Sequence, residues 1–300
     1  MNMIAKIIEP YGFCFGVEKA LEIAHQAKKG NPDSQIYILG DLVHNENVTK
    51  KLEKEGFFLL SEKKGALEKQ LIAVPDGAVL VFSAHGHSPK LDEIARNKKL
   101  KIYDATCIFV KKNEERMMKE AKKGNEIIYI GIRNHAETNA ALGIDSKKVH
   151  LMVPGETFSF SDVHSSCPLI VSQTTVTSDD ILSCEKIIKE RIPNAKFLAK
   201  QCYATEERQK KAVSGGEDAD AFIVLGGAKS NNTTKLYQEI KTHFPDKICI
   251  QVSSLEDLLA FEKEIIHASK VVLVSGTSTP KEDIFKVYVY LTKLSIKSNK

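Results

Sequence analysis

The chain has 300 residues, enough for two or three domains, with 42% hydrophobic and 27% charged residues, 17 Gly and 9 Pro. That balance excludes disordered, collagenous and coiled-coil classes, and a net charge of +4 from 43 basic and 39 acidic residues is too mild to argue for nucleic acid. No apolar run approaches the roughly 18 residues of a membrane span and residues 1–10 lack a secretory pattern, so the expectation is a cytoplasmic protein with neither nucleic acid nor membrane as partner.

In chain order, the first helical pattern covers residues 17–29, with Val17, Ala20, Leu21 and Ala24 on one face and Gly30 as its stop. Continuous apolar runs follow at Ile36–Leu39 and Val79–Phe82. A helix is predicted at 111–123 ahead of Gly124, then strands at Ile127–Ile130 and 169–171. A helix at 179–191 ends ahead of Pro193. A strand at 222–225, a helix at 234–244 ahead of Pro245 and a strand at 271–274 complete the series. Short apolar runs of this kind are those of buried parallel strands. Their alternation with helices argues for an α/β fold with parallel sheets.

A longer period lies over this alternation. Cys14, Cys107 and Cys202 each open a helical segment, with spacings of 93 and 95 residues. A polar strand end follows each after 28 to 30 residues, at His44, His135 and Ser230, and a second follows at His85, Thr174 and Ser278. The chain therefore reads as three versions of one unit, at 12–104, 105–199 and 200–285, with 286–300 as a C-terminal tail. The period exceeds that of solenoid repeats. Parallel α/β sheets bind ligands beyond the carboxyl ends of their strands, beside helix N-termini. Three small domains in a pseudo-threefold arrangement would bring the three cysteines to one centre.

Six cysteines are too few for a disulfide scaffold. Three thiolates from distant parts of a chain without a C-x-x-C pair suit a metal or an iron-sulfur cluster. A four-iron cluster on three cysteines keeps one open iron position. His44, His85, His135, Ser230, Asn231, Asn232 and Ser278 offer hydrogen-bond donors and no carboxylate, as a phosphate or diphosphate requires. Glu137 is the one acid among these segments. Beside an anionic cluster and out of water its pKa rises, favouring a protonated donor, and the Thr174 hydroxyl can relay a proton.

Other groups read more plainly. Cys167, Cys184 and Cys249 fall outside the repeat and are expected to be packed thiols, and His25, His150, His164, His243 and His267 to be ordinary surface or helix histidines. The run Gly226-Gly227-Ala228-Lys229-Ser230 is not a P-loop, because Ala228 and Ile223 stand where that pattern needs glycine. No G-x-G-x-x-G follows a strand, so a nicotinamide or flavin site is not supported. The residues alone leave an alternative: a zinc-dependent hydrolase, or a non-redox module binding a phosphate ligand, built on the same Cys and His set.

Taken together, Gly12-Phe13-Cys14-x-Gly16-Val17, Val43-His44-Asn45, Ser83-Ala84-His85-Gly86, Asp104-Ala105-Thr106-Cys107, His135-x-Glu137, Gln173-Thr174-Thr175, Cys202-x-Ala204-Thr205-x-x-Arg208-Gln209, Asn232-Thr233 and Ser278-x-Pro280 resemble the 4-hydroxy-3-methylbut-2-enyl diphosphate reductase family. The resemblance runs from about residue 10 to 285. It implies two-electron reductive removal of a hydroxyl, giving isopentenyl and dimethylallyl diphosphate in the methylerythritol phosphate route to isoprenoids. It implies three α/β domains around a central [4Fe-4S] cluster held by Cys14, Cys107 and Cys202. It implies substrate contacts from His44, His85, His135, Thr174, Ser230, Asn231, Asn232 and Ser278, proton delivery by Glu137 with Thr174 in the relay, and electrons from reduced ferredoxin or flavodoxin. The chain departs from the family pattern at Ala136, usually Pro, and at Asn231, usually Ser.

Overall fold

The computed structural model describes residues 3–61 and 65–297. In chain order the elements are β1 (Ile4–Ile7), α1 (Phe15–Lys29), β2 (Ile36–Leu39), α2 (Glu46–Lys54), β3 (Phe57–Leu60), α3 (Leu67–Ala73), β4 (Val79–Phe82), α4 (Pro89–Asn97) and β5 (Lys101–Asp104). They continue with α5 (Ile108–Lys122), β6 (Ile127–Ile130), α6 (Ala136–Leu142), β7 (Val149–Met152), β8 (Leu169–Ser172), α7 (Ser178–Arg191) and β9 (Lys196–Phe197). The last are α8 (Tyr203–Gly215), β10 (Ala221–Leu225), α9 (Asn231–His243), β11 (Ile248–Val252), α10 (Leu255–Leu259), α11 (Glu262–Ile265), β12 (Lys270–Ser275) and α12 (Lys281–Lys297).

Two compact units contain these elements: Met1–Phe15 with His44–Val48 and Tyr203–Lys300, and Gly16–Val43 with Thr49–Cys202. The second unit holds two four-stranded sheets, ordered β3-β2-β4-β5 and β7-β6-β8-β9, and the first unit holds one, ordered β1-β12-β10-β11. Every pairing is parallel. The α/β class with three small parallel sheets is thus the observed fold.

The six strands foreseen from apolar runs are the inner pairs of the three sheets: β2 and β4, β6 and β8, β10 and β12. All residues of β4, β6, β8 and β10 are buried, because a parallel sheet is covered on both faces. Alternate residues serve opposite layers. In β6 and β8, Ile127, Tyr129, Leu169 and Val171 meet Met117 and Ala121 of α5 and Ala141 of α6. Their neighbours Ile128, Ile130 and Ile170 meet Ile181, Cys184 and Ile188 of α7. In the first unit, Ile223, Leu225, Val271 and Leu273 pack on Leu258, Ile284, Val287 and Leu291, while Phe222, Val224, Val272 and Val274 pack on Ala212, Leu236 and Ile240.

The other six strands lie at sheet edges. There one side faces solvent and the burial pattern is mixed, as in Ile4–Ile7 and Lys101–Asp104. Helix starts also differ from the pattern: α5 begins at Ile108 and α9 at Asn231, three residues earlier than apolar spacing indicates, α9 because Ser230 caps its first turn and α5 without a side-chain cap at Cys107. Residues 286–297, set aside above as a tail, belong to α12, whose Val287, Leu291 and Leu294 enter the core; residues 298–300 lie outside the described residues.

Ile223 on inner β10 is fully buried and Ile4 on edge β1 is 61% exposed. Ile223→Ala is expected to cost about 2–5 kcal/mol and Ile4→Ala no more than about 0.5 kcal/mol, read from urea-denaturation midpoints at constant slope.

Candidate functional site

Each inner strand ends in a loop that carries one of the expected polar groups, which is where parallel α/β sheets present ligand-binding residues. In the second unit, His85 follows β4, His135 follows β6 and Thr174 follows β8. His135 caps α6: its Nδ1 accepts the Glu137 backbone N–H at 3.2 Å, which leaves Nε2 as the protonated ring nitrogen of the neutral tautomer. Asn134 just before it is left-handed, with φ 58°, a conformation asparagine tolerates. The His85 and His135 rings meet edge to face with centroids 5.9 Å apart.

Glu137 is 5% exposed. Thr174 grips both of its oxygens, the backbone N–H donating to Oε1 at 2.9 Å and the hydroxyl to Oε2 at 2.8 Å. Burial pushes this carboxyl up to about 7, against the opposing pull of the Thr174 hydrogen bonds. Glu137 can therefore carry a proton near neutrality. Buried Gln173 braces the arrangement, its Oε1 accepting from the Ile132 N–H at 3.0 Å and the Thr138 hydroxyl at 3.1 Å.

Two cysteines enter the same unit by a common bond. The Cys107 N–H donates to the Ala84 carbonyl at 3.0 Å, beside His85, and the Cys202 N–H to the Thr174 carbonyl at 2.9 Å. Ahead of Cys107, Asp104 accepts from the Thr106 N–H at 3.0 Å and from Lys111 at 2.8 Å, which shapes the turn into α5. Cys107 is the N-cap of α5 and Cys202 immediately precedes α8.

In the first unit the bond recurs, with the Cys14 N–H donating to the Thr277 carbonyl at 2.9 Å, beside Ser278 and ahead of α1. The Thr277 N–H in turn donates to Asn232 Oδ1 at 2.8 Å. The Asn232 amide nitrogen is sealed and has no hydrogen-bond partner, a donor awaiting an acceptor. Ser230 caps α9, accepting the Thr233 N–H at 3.3 Å, and Asn231 opens that helix. Ser278 donates to the His44 carbonyl at 3.1 Å. Gly227 lets that carbonyl approach, since a Cβ there would lie 2.7 Å from it. Of the glycines that failed as a P-loop, Gly227 thus serves a backbone contact and Gly226 makes room for the Thr233 side chain. Asn45 caps α2 through its Oδ1, which accepts from Asn47 and Val48.

No disulfide links any of the six cysteines. Cys14, Cys107 and Cys202 are half-buried, while Cys184 sits in the core with its thiol pushed up to about 11 by burial. Cys249 packs against the first unit's core, raised alike by burial. Among the described residues no group of three or more His, Cys, Asp and Glu side chains is gathered as for a single metal ion.

One buried cation stands in a quoted motif without having been given a role. Arg208, 5% exposed, donates to the Ser275 carbonyl and hydroxyl at 2.9 and 3.1 Å, to the Gly276 carbonyl at 3.1 Å and to the Gly12 carbonyl at 2.6 Å. Burial depresses its guanidinium to about 10 while the nearby Cys14 thiol pulls the other way. Its signal in sequence is only an Arg on a helix, indistinguishable from a surface residue. Tyr129, facing Glu137, was likewise hidden inside an apolar run.

Because Thr174 bonds favour the charged form of Glu137, Thr174→Val should raise the Glu137 midpoint above about 7, read by pH titration of its ¹³C-labelled carboxyl. Arg208→Lys keeps the charge but loses the planar fork, with an expected cost of about 2–3 kcal/mol in urea denaturation.

The model of the LytB protein family matches residues 5–292. Proteins named 4-hydroxy-3-methylbut-2-enyl diphosphate reductase from Anoxybacillus flavithermus and Bacillus subtilis are each 34% identical, over 275 and 276 residues, covering 91% of this chain and 85% of either relative. The solved E-1-hydroxy-2-methyl-but-2-enyl-4-diphosphate reductase from Plasmodium falciparum superposes with a TM-score of 0.82 at 30% identity, over 97% of this chain and 88% of that one. These relatives do not favour the hydrolase or phosphate-module alternative. The chain belongs to the LytB protein family and is an oxidoreductase of that family.

Proposed function

We propose that this chain reduces 4-hydroxy-3-methylbut-2-enyl diphosphate to isopentenyl and dimethylallyl diphosphate, as the names of its relatives and the chemistry of its strand ends both support. The allylic C–O bond breaks, two electrons and two protons are consumed, and water leaves. The observation that carries this reading is the sealed Glu137 carboxyl, raised to about 7 and held by Thr174, whose own carbonyl receives the Cys202 N–H. The loop that carries Thr174 thereby holds both the Glu137 carboxyl and the backbone of Cys202.

Cys14, Cys107 and Cys202 are the residues that hold a [4Fe-4S] cluster. The donor chemistry fits: soft thiols, half-buried, each at a helix N-terminus where the helix dipole favours an anion. When bound, the cluster supplies electrons and an open iron position to the substrate hydroxyl. Reduced ferredoxin or flavodoxin provides the electrons, in the cytoplasm. His44, His85, His135, Ser230, Asn231, Asn232 and Ser278 hold the diphosphate and the substrate chain. The sealed Asn232 amide and the Nε2–H of His135 are donors suited to phosphate oxygens. Glu137 gives the proton that lets the hydroxyl depart as water, and Thr174 orients that carboxyl through two bonds.

Protein purified without oxygen is expected to be brown, with about four irons per chain, and Cys107→Ser to lose both iron and reduction. Glu137→Gln is expected to bind the diphosphate with little change while kcat falls at least ~100-fold. Colourless, iron-free protein carrying tightly bound zinc, or near-normal turnover by Glu137→Gln, would contradict the reading.

A further inference from the structure

In the first unit one residue, Thr277, stands between a binding group and a cysteine. Its N–H donates to Asn232 Oδ1 at 2.8 Å, and its carbonyl accepts the Cys14 N–H at 2.9 Å. Because Thr277 offers a donor, the Asn232 side-chain oxygen turns towards it, which directs the amide nitrogen the other way. Asn232 is 3% exposed, and that nitrogen is sealed and has no hydrogen-bond partner. A buried amide nitrogen in this state lacks an acceptor. It lies in the first turn of α9, where the free N–H groups and dipole of the helix favour negative charge. The missing acceptor is therefore an anionic oxygen.

The backbone on the Cys14 side is fixed just as tightly. Gly12 is bound at both of its polar groups: its N–H donates to Ser275 Oγ at 3.3 Å, and its carbonyl accepts from Arg208 at 2.6 Å. The same guanidinium reaches the Ser275 carbonyl at 2.9 Å, its hydroxyl at 3.1 Å and the Gly276 carbonyl at 3.1 Å. Arg208 thus holds the Gly12 turn against the end of β12. Gly12 has φ 84°, and a Cβ there would fall 2.8 Å from Lys281 Cγ, so the turn requires glycine. Only Phe13 separates this fixed point from Cys14. The link from Asn232 to Cys14 runs through a single residue, on a backbone pinned at Gly12, Ser275 and Gly276.

We propose that Thr277 couples the Asn232 anion site to the Cys14 backbone, so that an anion accepted by the Asn232 amide nitrogen holds the Cys14 segment docked, and loosening of that segment weakens the anion. This rests on the diphosphate-binding role of Asn232 proposed above. In the docked state Thr277 bonds both Cys14 and Asn232, and the amide nitrogen is aligned for its acceptor. In the opened state the Cys14 bond is broken and Thr277 no longer fixes the Asn232 amide. The anion meets an aligned donor only in the docked state, and a ligand that prefers one state shifts the population towards it. The coupling is reciprocal. Arg208, Ser275 and Thr277 are positioning residues that act through Asn232 and Cys14. Filling the anion site and firmly placing one of the three cysteines become a single event.

Amide hydrogen exchange on the anaerobically purified full chain, resolved to single amides by mass spectrometry, tests this without turnover. The probe is inorganic pyrophosphate at about 100 times the dissociation constant found by calorimetry. The Cys14 and Thr277 amides are expected to exchange up to about 100-fold more slowly with it. The Ile248 amide, which donates to Asp220 at the opposite end of the same sheet, is expected to keep its rate. Equal slowing of all three amides is general stabilisation and overturns the coupling, as does pyrophosphate that binds and leaves Cys14 exchange unchanged.

The reciprocal arm uses Arg208→Gln and the milder Ser275→Ala, which keeps the test open where the first does not fold. Each is expected to weaken pyrophosphate binding about fivefold or more and to remove most of its effect on the Cys14 amide. A merely structural role would speed exchange by the same factor with and without pyrophosphate and leave the affinity at its wild-type value. Wild-type affinity in the folded variants overturns the proposal. So does a wild-type chain that fails to bind pyrophosphate, and assay of the same chain with 4-hydroxy-3-methylbut-2-enyl diphosphate then decides the function above separately.

Discussion

A single kind of backbone hydrogen bond, used three times, fixes where the reactive sulfurs stand. The amide of Cys14 reaches the Thr277 carbonyl, that of Cys107 the Ala84 carbonyl and that of Cys202 the Thr174 carbonyl. Each bond anchors the α-carbon through the backbone alone and sets the residue at a helix N-terminus. The accepting loop is in every case the one that follows an inner strand and bears a polar side chain at or beside the acceptor. Thiol and polar group are therefore set by one constraint. The rigid inner strands, buried on both faces, are what make the constraint firm.

Close backbone approach is the second theme, and it explains glycines that resemble a nucleotide signature. At Gly226 and Gly276 the Thr233 hydroxyl occupies the space a Cβ would need, and at Gly227 it is the His44 carbonyl. Arg208 then ties Gly12, Ser275 and Gly276 together through their carbonyls. A buried guanidinium surrounded by carbonyl oxygens is fully used as a donor only on the side those oxygens reach, and its Nε is left without a partner. Specific loop geometry is obtained here at some cost in stability.

The central layer of each sheet was legible because complete burial erases alternation: Val79–Phe82 and Ile127–Ile130 read as strands without ambiguity. Edge strands such as Val149–Met152 and Lys196–Phe197 carry polar residues on their open side and look like loops. The candidate site was legible in its chemistry-bearing residues, whose spacing repeats. Its supports were not. Gln173 and Arg208 act through burial and through partners remote in sequence, so nothing in their local spacing distinguishes them from ordinary core or surface residues.

The sheet that contains Cys14 has an uneven history built into it. Strand β1 pairs only with β12, so that Ile4 lies opposite Lys270, whereas each sheet of the other unit is assembled from strands that follow one another closely along the chain. β1 has no partner strand until β12, far along the chain, has been made, and its pairing closes the longest loop among the described strand pairs. The two sheets between Gly16 and Cys202 can form while it waits. The Gly12–Cys14 loop, which needs Arg208 and Thr277 to hold it, takes its final shape only after those distant segments have been made, so one of the three cysteines reaches its place later than the other two.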